Sequence, residues 1–180
     1  IMQSLASGDK NEVEKIVLTA SGGPFLNASQ EIIEKAQPED ALNHPNWDMG
    51  PKITIDSATM FNKGLEVIEA YWLYGVQADQ IEVTIHRESI IHSMVEFSDA
   101  SVKAQMGIPD MKIPIAYALF YPERFPVNAP YMDFSQTFKL HFEAPDLEKF
   151  RALKLAFDSL KSGATYPAVL NAANEIAVQA

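Results

Sequence analysis

Residues 13–19 (VEKIVLT) are apolar, partly β-branched and run straight into Ser21-Gly22-Gly23-Pro24, the pattern of a buried strand that ends in a tight loop. Glycine in such a loop leaves backbone N–H groups free. Apolar residues alternate again at 81–85, 94–97 and 102–106, the last two runs separated by Ser98-Asp99-Ala100-Ser101, which reads as further strands including one hairpin. The spacing predicts a mixed sheet covered by helices, an α/β (α+β) architecture.

The helical part follows the same reading. A polar helix is expected near residues 29–36, and Pro38 opens a second turn. Residues 44–51 read as a loop and 52–55 as a short strand. The longest helical pattern covers 59–74, where Asp56 or Ser57 can cap the first N–H groups. On a helical wheel Met60, Phe61, Leu65, Val67, Ile68, Tyr71 and Trp72 occupy one arc, and Asn62, Lys63, Glu66 and Glu69 the other. Proline starts a helix at 114–120, and Pro122, Pro126 and Pro130 then give a loop-rich stretch with a strand-like run at 137–142. From Asp146, a candidate N-cap, to Gly163, a candidate C-cap, and again from Pro167, two helices begin a bundle. The expected division is a catalytic unit at 1–121, a linker at 122–145 and the start of a helical domain at 146–180.

Composition narrows the function. A net charge of −10 and a pI near 4.8 argue against wrapping nucleic acid, which selects for clustered Lys and Arg. The absence of cysteine excludes disulfides, thiolate metal sites and a thiol nucleophile, and fits a reducing compartment. No run approaches the roughly 18 apolar residues of a membrane span, and the start has no signal-peptide order, so cytoplasm, or a plastid, is the expected location. The chain opens inside what reads as a helix and closes on NAANEIAVQA without a stop signal, so both ends are expected to be cuts from a longer chain.

Chemistry concentrates in a few places. Asn62 and Glu66 lie four apart on the 59–74 helix with Lys63 between them, and such a face can set an anion donor beside a metal ligand; it also reads as a solvated face with an ordinary Lys63–Glu66 pair. Ser21 to Gly23 can supply a hydroxyl and backbone N–H groups to an anion, or can simply end the strand. Trp47, three residues after His44 in a Pro- and Gly-rich loop, suits a lid or a tryptophan anchor. His86, His92 and His141 read as structural or surface residues, and Asp110 as a helix cap. Gly-x-Gly-x-x-Gly occurs nowhere, so the chain carries no dinucleotide-binding turn of its own.

The words LTASGGPF at 18–25, HPNWDMG at 44–50 and DSATMFNKGLE at 56–66, followed in order by Ile85-His86, residues 91–94 (IHSM), Gln105-Met106-Gly107, Pro109-Asp110-Met111 and residues 170–175 (LNAANE), resemble the deoxyxylulose-phosphate reductoisomerase family across the whole chain. The resemblance implies NADPH-dependent conversion of 1-deoxy-D-xylulose 5-phosphate to 2-C-methyl-D-erythritol 4-phosphate, in the non-mevalonate route to isoprenoids, with Mg²⁺, Mn²⁺ or Co²⁺ as Lewis acid. It also implies roles for single residues. Ser21, Ser57, Asn62 and Lys63 match phosphate-holding positions, His44 a substrate contact, and Glu66 a metal ligand at the substrate. Trp47 and Met49 match the lid, Gly50 a backbone contact to the nucleotide and Met111 a side chain near the nicotinamide. A homodimer is the family's usual assembly.

Two departures matter. The family's NADPH-binding domain and an acidic Asp-Ser-Glu word are expected just ahead of Ile1, and one carboxylate from Glu66 is too little for an octahedral cation. The isolated chain is therefore expected to turn over no substrate. Arg87-Glu88 also stands where many members have Pro-Gln. The alternatives are a non-catalytic sugar-phosphate-binding or dimerisation module, and a metal-dependent isomerase without redox chemistry.

Overall fold

The computed structural model describes residues 1–45, 47 and 49–179. A short helix α1 (Met2–Leu5) precedes strand β1 (Val13–Ala20), and α2 (Gln30–Lys35), α3 (Pro38–Ala41), α4 (Pro51–Ala58) and α5 (Phe61–Tyr74) follow. Strands β2 (Ile81–Ile85), β3 (Ile91–Phe97) and β4 (Val102–Met106) come next, then α6 (Lys112–Phe120), α7 (Arg151–Ser162) and α8 (Tyr166–Ala177). The strands form a mixed sheet of order β2-β1-β3-β4.

β1 is central because it is the most completely apolar. It pairs in parallel with β2, Ile16 opposite Ile81 and Leu18 opposite Val83, and antiparallel with β3. A parallel pair needs a long crossover, and the helices from α2 to α5 supply it. β3 and β4 are the expected hairpin, closed at Ala100 in the left-handed region at φ 64°. Helix α5 covers β1 and β2, and α7 packs on α5. Ile16, Val67, Val95 and Leu153, all 0 % exposed, stand in this one core. In α7 the buried residues Leu153, Ala156 and Leu160 recur at helical spacing, which gives the helix one apolar stripe to set on α5. Among the described residues no helix is long and apolar enough to cross a membrane.

Several local expectations are corrected. Residues 52–55 are not a strand but part of α4, entered through Gly50 with Pro51 in the first turn. Their β-branched composition suggested a strand, yet proline at the start of a helix is pre-organised, and Thr54 Oγ1 donates to the Gly50 carbonyl at 2.8 Å, as a helical threonine does. Asp56 and Ser57 therefore lie in the last turns of α4 and cap nothing in α5. The 59–74 helix starts at Phe61 after Met60 turns through φ 59°, and the Thr59 hydroxyl accepts the Phe61 N–H at 3.3 Å. Trp72, placed on the apolar arc, is 68 % exposed. Residues 137–142 form no strand; one antiparallel bridge joins Glu143 to Ile85. Asp146 caps a turn, accepting the Glu148 and Lys149 N–H groups at 3.0 Å, and α7 begins only at Arg151. Gly163 ends it at positive φ, as expected. Asp110 accepts the Lys112 N–H at 2.8 Å, so α6 begins two residues before Pro114.

Candidate functional site

The sequence-selected residues around Ser21, Ser57 and Glu66 lie on three elements: the exit turn of β1, the end of α4 and the first two turns of α5. At that exit Gly22 and Gly23 both adopt positive φ, 90° and 65°, conformations glycine takes without steric penalty. The Gly23 backbone presses on α4 so closely that a Cβ on it would stand 2.6 Å from the Ser57 carbonyl oxygen. The turn that carries Ser21 and the turn that carries Ser57 are thus in direct contact. Ser57 is half-buried, and its carbonyl accepts the Met60 N–H at 3.1 Å, at the corner where α4 gives way to α5.

His44 closes on the same turn. Its Nδ1 accepts the Trp47 N–H at 3.0 Å, so the neutral ring carries its proton on Nε2 and donates it to Ser21 Oγ at 3.1 Å. Burial pushes the imidazole pKa down, which favours that neutral form. Trp47 and Met49 are half-buried and Gly50 is exposed at the head of α4, where nothing lies within 4 Å of a Cβ position. A cleft of about 670 Å³ opens beside Ser21, lined also by Asn27, Asp40 and Arg87; neither Asn62 nor Lys63 borders it.

On α5 the expected Lys63–Glu66 pair is present and Asn62 joins it, while Glu69 on the same face is exposed. Glu66 accepts Asn62 Nδ2 at 2.8 Å on one oxygen and Lys63 Nζ at 2.6 Å on the other, and the Lys63 side chain is only 13 % exposed. The Glu69 carboxyl is raised by burial and by Glu66. Among the described residues no group of three or more His, Cys, Asp or Glu is placed to hold a metal ion. Glu66 by itself, already engaged by Asn62 and Lys63, does not fit one. Met111, 57 % exposed at the turn before α6, lies on a separate element.

One part of the site escaped sequence reasoning. Asp56, 2 % exposed, accepts Lys52 Nζ at 2.7 Å on Oδ2 and Asn174 Nδ2 of α8 at 2.8 Å on Oδ1. Lys52 also reaches Glu175 at 3.1 Å. Helical spacing from Lys52 to Asp56 was a signal, hidden while 52–55 read as a strand. Nothing in the sequence pointed from Asp56 to Asn174. His86 is structural, as expected: fully buried, it donates from Nδ1 to the His141 carbonyl at 3.0 Å and accepts the Ile90 N–H on Nε2 at 3.2 Å.

Residues 1–74 match the family described as 1-deoxy-D-xylulose 5-phosphate reductoisomerase C-terminal domain, and residues 106–180 that described as DXP reductoisomerase C-terminal domain. A curated 1-deoxy-D-xylulose 5-phosphate reductoisomerase from Chlorobium limicola is 59% identical over all of this chain, which covers 47% of that relative. One from Geobacter metallireducens is 58% identical over the same span. The crystal structure of a DOX-P reductoisomerase in complex with NADPH, fosmidomycin and magnesium superposes with a TM-score of 0.90 at 52% identity, covering 93% of this chain and 41% of that one. The Zymomonas mobilis enzyme in complex with NADPH gives 0.91 at 47% identity, covering 99% and 46%. The chain thus spans about half the length of the curated relatives it matches, shares the fold of the solved structures, and belongs to the 1-deoxy-D-xylulose 5-phosphate reductoisomerase family.

Proposed function

We propose that the whole protein converts 1-deoxy-D-xylulose 5-phosphate to 2-C-methyl-D-erythritol 4-phosphate with NADPH and a divalent cation, and that this chain supplies the phosphate cradle, the lid and one carboxylate. The observation that carries this reading is the Asn62–Glu66–Lys63 cluster, set on the helix that follows the Ser57–Gly23 contact. Two hydroxyls, an amide and an ammonium are the donors that a phosphate dianion takes up. The phosphate is remote from the reacting carbons, so its binding energy serves to hold the other end in register. His44 donates from Nε2 toward a substrate oxygen in place of Ser21, and Trp47 and Met49 cover the site.

The cation and the nucleotide both need more than this chain. Glu66 is the carboxylate it offers, and a divalent cation needs further oxygen donors beside it. Gly50 leaves room for close backbone approach to a nucleotide, and exposed Met111 offers an apolar contact to a nicotinamide. The same reading takes residues 1–121 as the catalytic unit, 122–145 as linker and 146–180 as the start of a helical domain, in a cytoplasmic homodimer. The 180-residue chain alone then turns over no substrate.

The test is NADPH consumption by the full-length protein with 1-deoxy-D-xylulose 5-phosphate and Mg²⁺, beside Lys63→Ala and Glu66→Gln. Each substitution removes a charge-assisted contact and is expected to lower kcat/KM by about 10- to 100-fold or more. A folded full-length protein that consumes no NADPH overturns the reading and leaves a sugar-phosphate-binding module.

A further inference from the structure

We infer that Asp56 is a positioning residue for the phosphate cradle: its carboxylate, clamped between Lys52 and Asn174, fixes the last turns of α4 and with them Ser57. The inference rests on the cradle reading above.

A carboxylate that is 2 % exposed is costly to bury unless both oxygens are satisfied. Here Oδ2 takes the Lys52 ammonium and Oδ1 the Asn174 amide. Asn174 is the one buried residue of α8, and its neighbour Glu175 holds the same lysine. The polar end of α8 is thus spent on α4. α4 has only eight residues, too few to be stable without tertiary support. Ser57 follows Asp56 directly, and the Ser57 carbonyl sits against Gly23. A shift in this turn therefore moves the Ser57 hydroxyl and the β1 exit turn together. Asp56 itself need not touch substrate, and its effect passes through Ser57.

The test uses the full-length protein and four variants: Asp56→Asn, Asn174→Asp, the reciprocal double substitution and Lys63→Ala. KM for 1-deoxy-D-xylulose 5-phosphate, kcat, the Kd of inorganic phosphate by calorimetry and Tm are measured for each. Asn174→Asp sets two carboxylates face to face and is expected to raise KM and the phosphate Kd about tenfold with kcat within about twofold, because ground-state and transition-state binding are lost together. Asp56→Asn acts in the same direction and less. The reciprocal pair restores an amide facing a carboxylate within reach of Lys52, and is expected to recover most of the phosphate affinity. If Asp56→Asn and Asn174→Asp lower Tm yet bind phosphate as the parent does, while Lys63→Ala does not, the positioning role is overturned and the cradle stands. Unchanged phosphate affinity in Lys63→Ala overturns the cradle itself. Should Asn174→Asp fail to fold, the split between KM and kcat in Asp56→Asn decides.

Discussion

Gly23 and Ser57 meet backbone to backbone, across 34 residues of chain, with no space for even a methyl group between the glycine Cα and the serine carbonyl. Gly23→Ala would add left-handed strain at φ 65° to that collision. The expected loss is about 1–3 kcal/mol, read from urea unfolding, with a weaker phosphate affinity from the displaced turn.

A second close approach holds α7 on α5. A Cβ on Gly64 would lie 3.0 Å from the Ala156 methyl and 3.3 Å from the Ala152 carbonyl oxygen. Alanine gains about 1 kcal/mol of helix propensity over glycine, but both neighbours belong to a packed helix and Ala156 is 0 % exposed. Overpacking of about 1–3 kcal/mol outweighs the gain, so Gly64→Ala is expected to lower the denaturation midpoint, and Gly64→Val to lower it further.

His44 gives the exit turn a pH dependence. Its folded pKa lies below the ordinary value of 6.5 because burial disfavours the imidazolium. The unfolded chain then takes up a proton that the folded one refuses, so the contribution is fully present above about 6.5 and is lost as pH falls through the lower folded value. Protonation also removes the Nδ1 acceptor that holds the Trp47 N–H. An NMR titration of the His44 ring should show a midpoint below that of an exposed histidine, with the Trp47 amide shifting in step.

Glu88 has the opposite chemistry and the same sign. Burial alone would raise its pKa, but hydrogen bonds from the His141 ring and from main-chain N–H groups overrule it and hold the carboxyl at about 2. Its stabilisation is present above about 4.5, the unfolded value, and disappears as pH falls toward 2. Arg87 and Glu143 pair beside it at 2.6 Å, so the departure at Arg87-Glu88 clasps residues 141–143 to the β2 edge. Glu88→Gln is expected to cost about 1 kcal/mol, with faster hydrogen exchange at Ile85 and Glu143, whose N–H groups bond across that edge.

The strands were legible because β1, β2 and the hairpin carry period-two or continuous apolar runs with turn residues between them, and the register follows from burying that face. α4 was not, because Lys52-Ile53-Thr54-Ile55 suits either state and only Gly50-Pro51 ahead of it decides. Residues 137–142 had the alternation of a strand without a partner to extend beyond one bridge. At the site, the Asn62–Glu66 spacing exposed the α5 cluster directly. The Asp56–Asn174 bond joins positions 118 residues apart, and no local pattern encodes such a pairing.

Lys63 is never idle: its counterion is built into the next turn of its own helix. Any incoming anion therefore competes with Glu66, and the affinity observed is the difference between two ion pairs rather than the strength of one. Glu66→Gln should on this account bind inorganic phosphate more tightly than the parent while turning over less substrate, and calorimetry set beside kinetics would see the two move apart. A residue whose removal improves the grip and ruins the reaction acts as an internal competitor, keeping the ammonium occupied until a ligand displaces it.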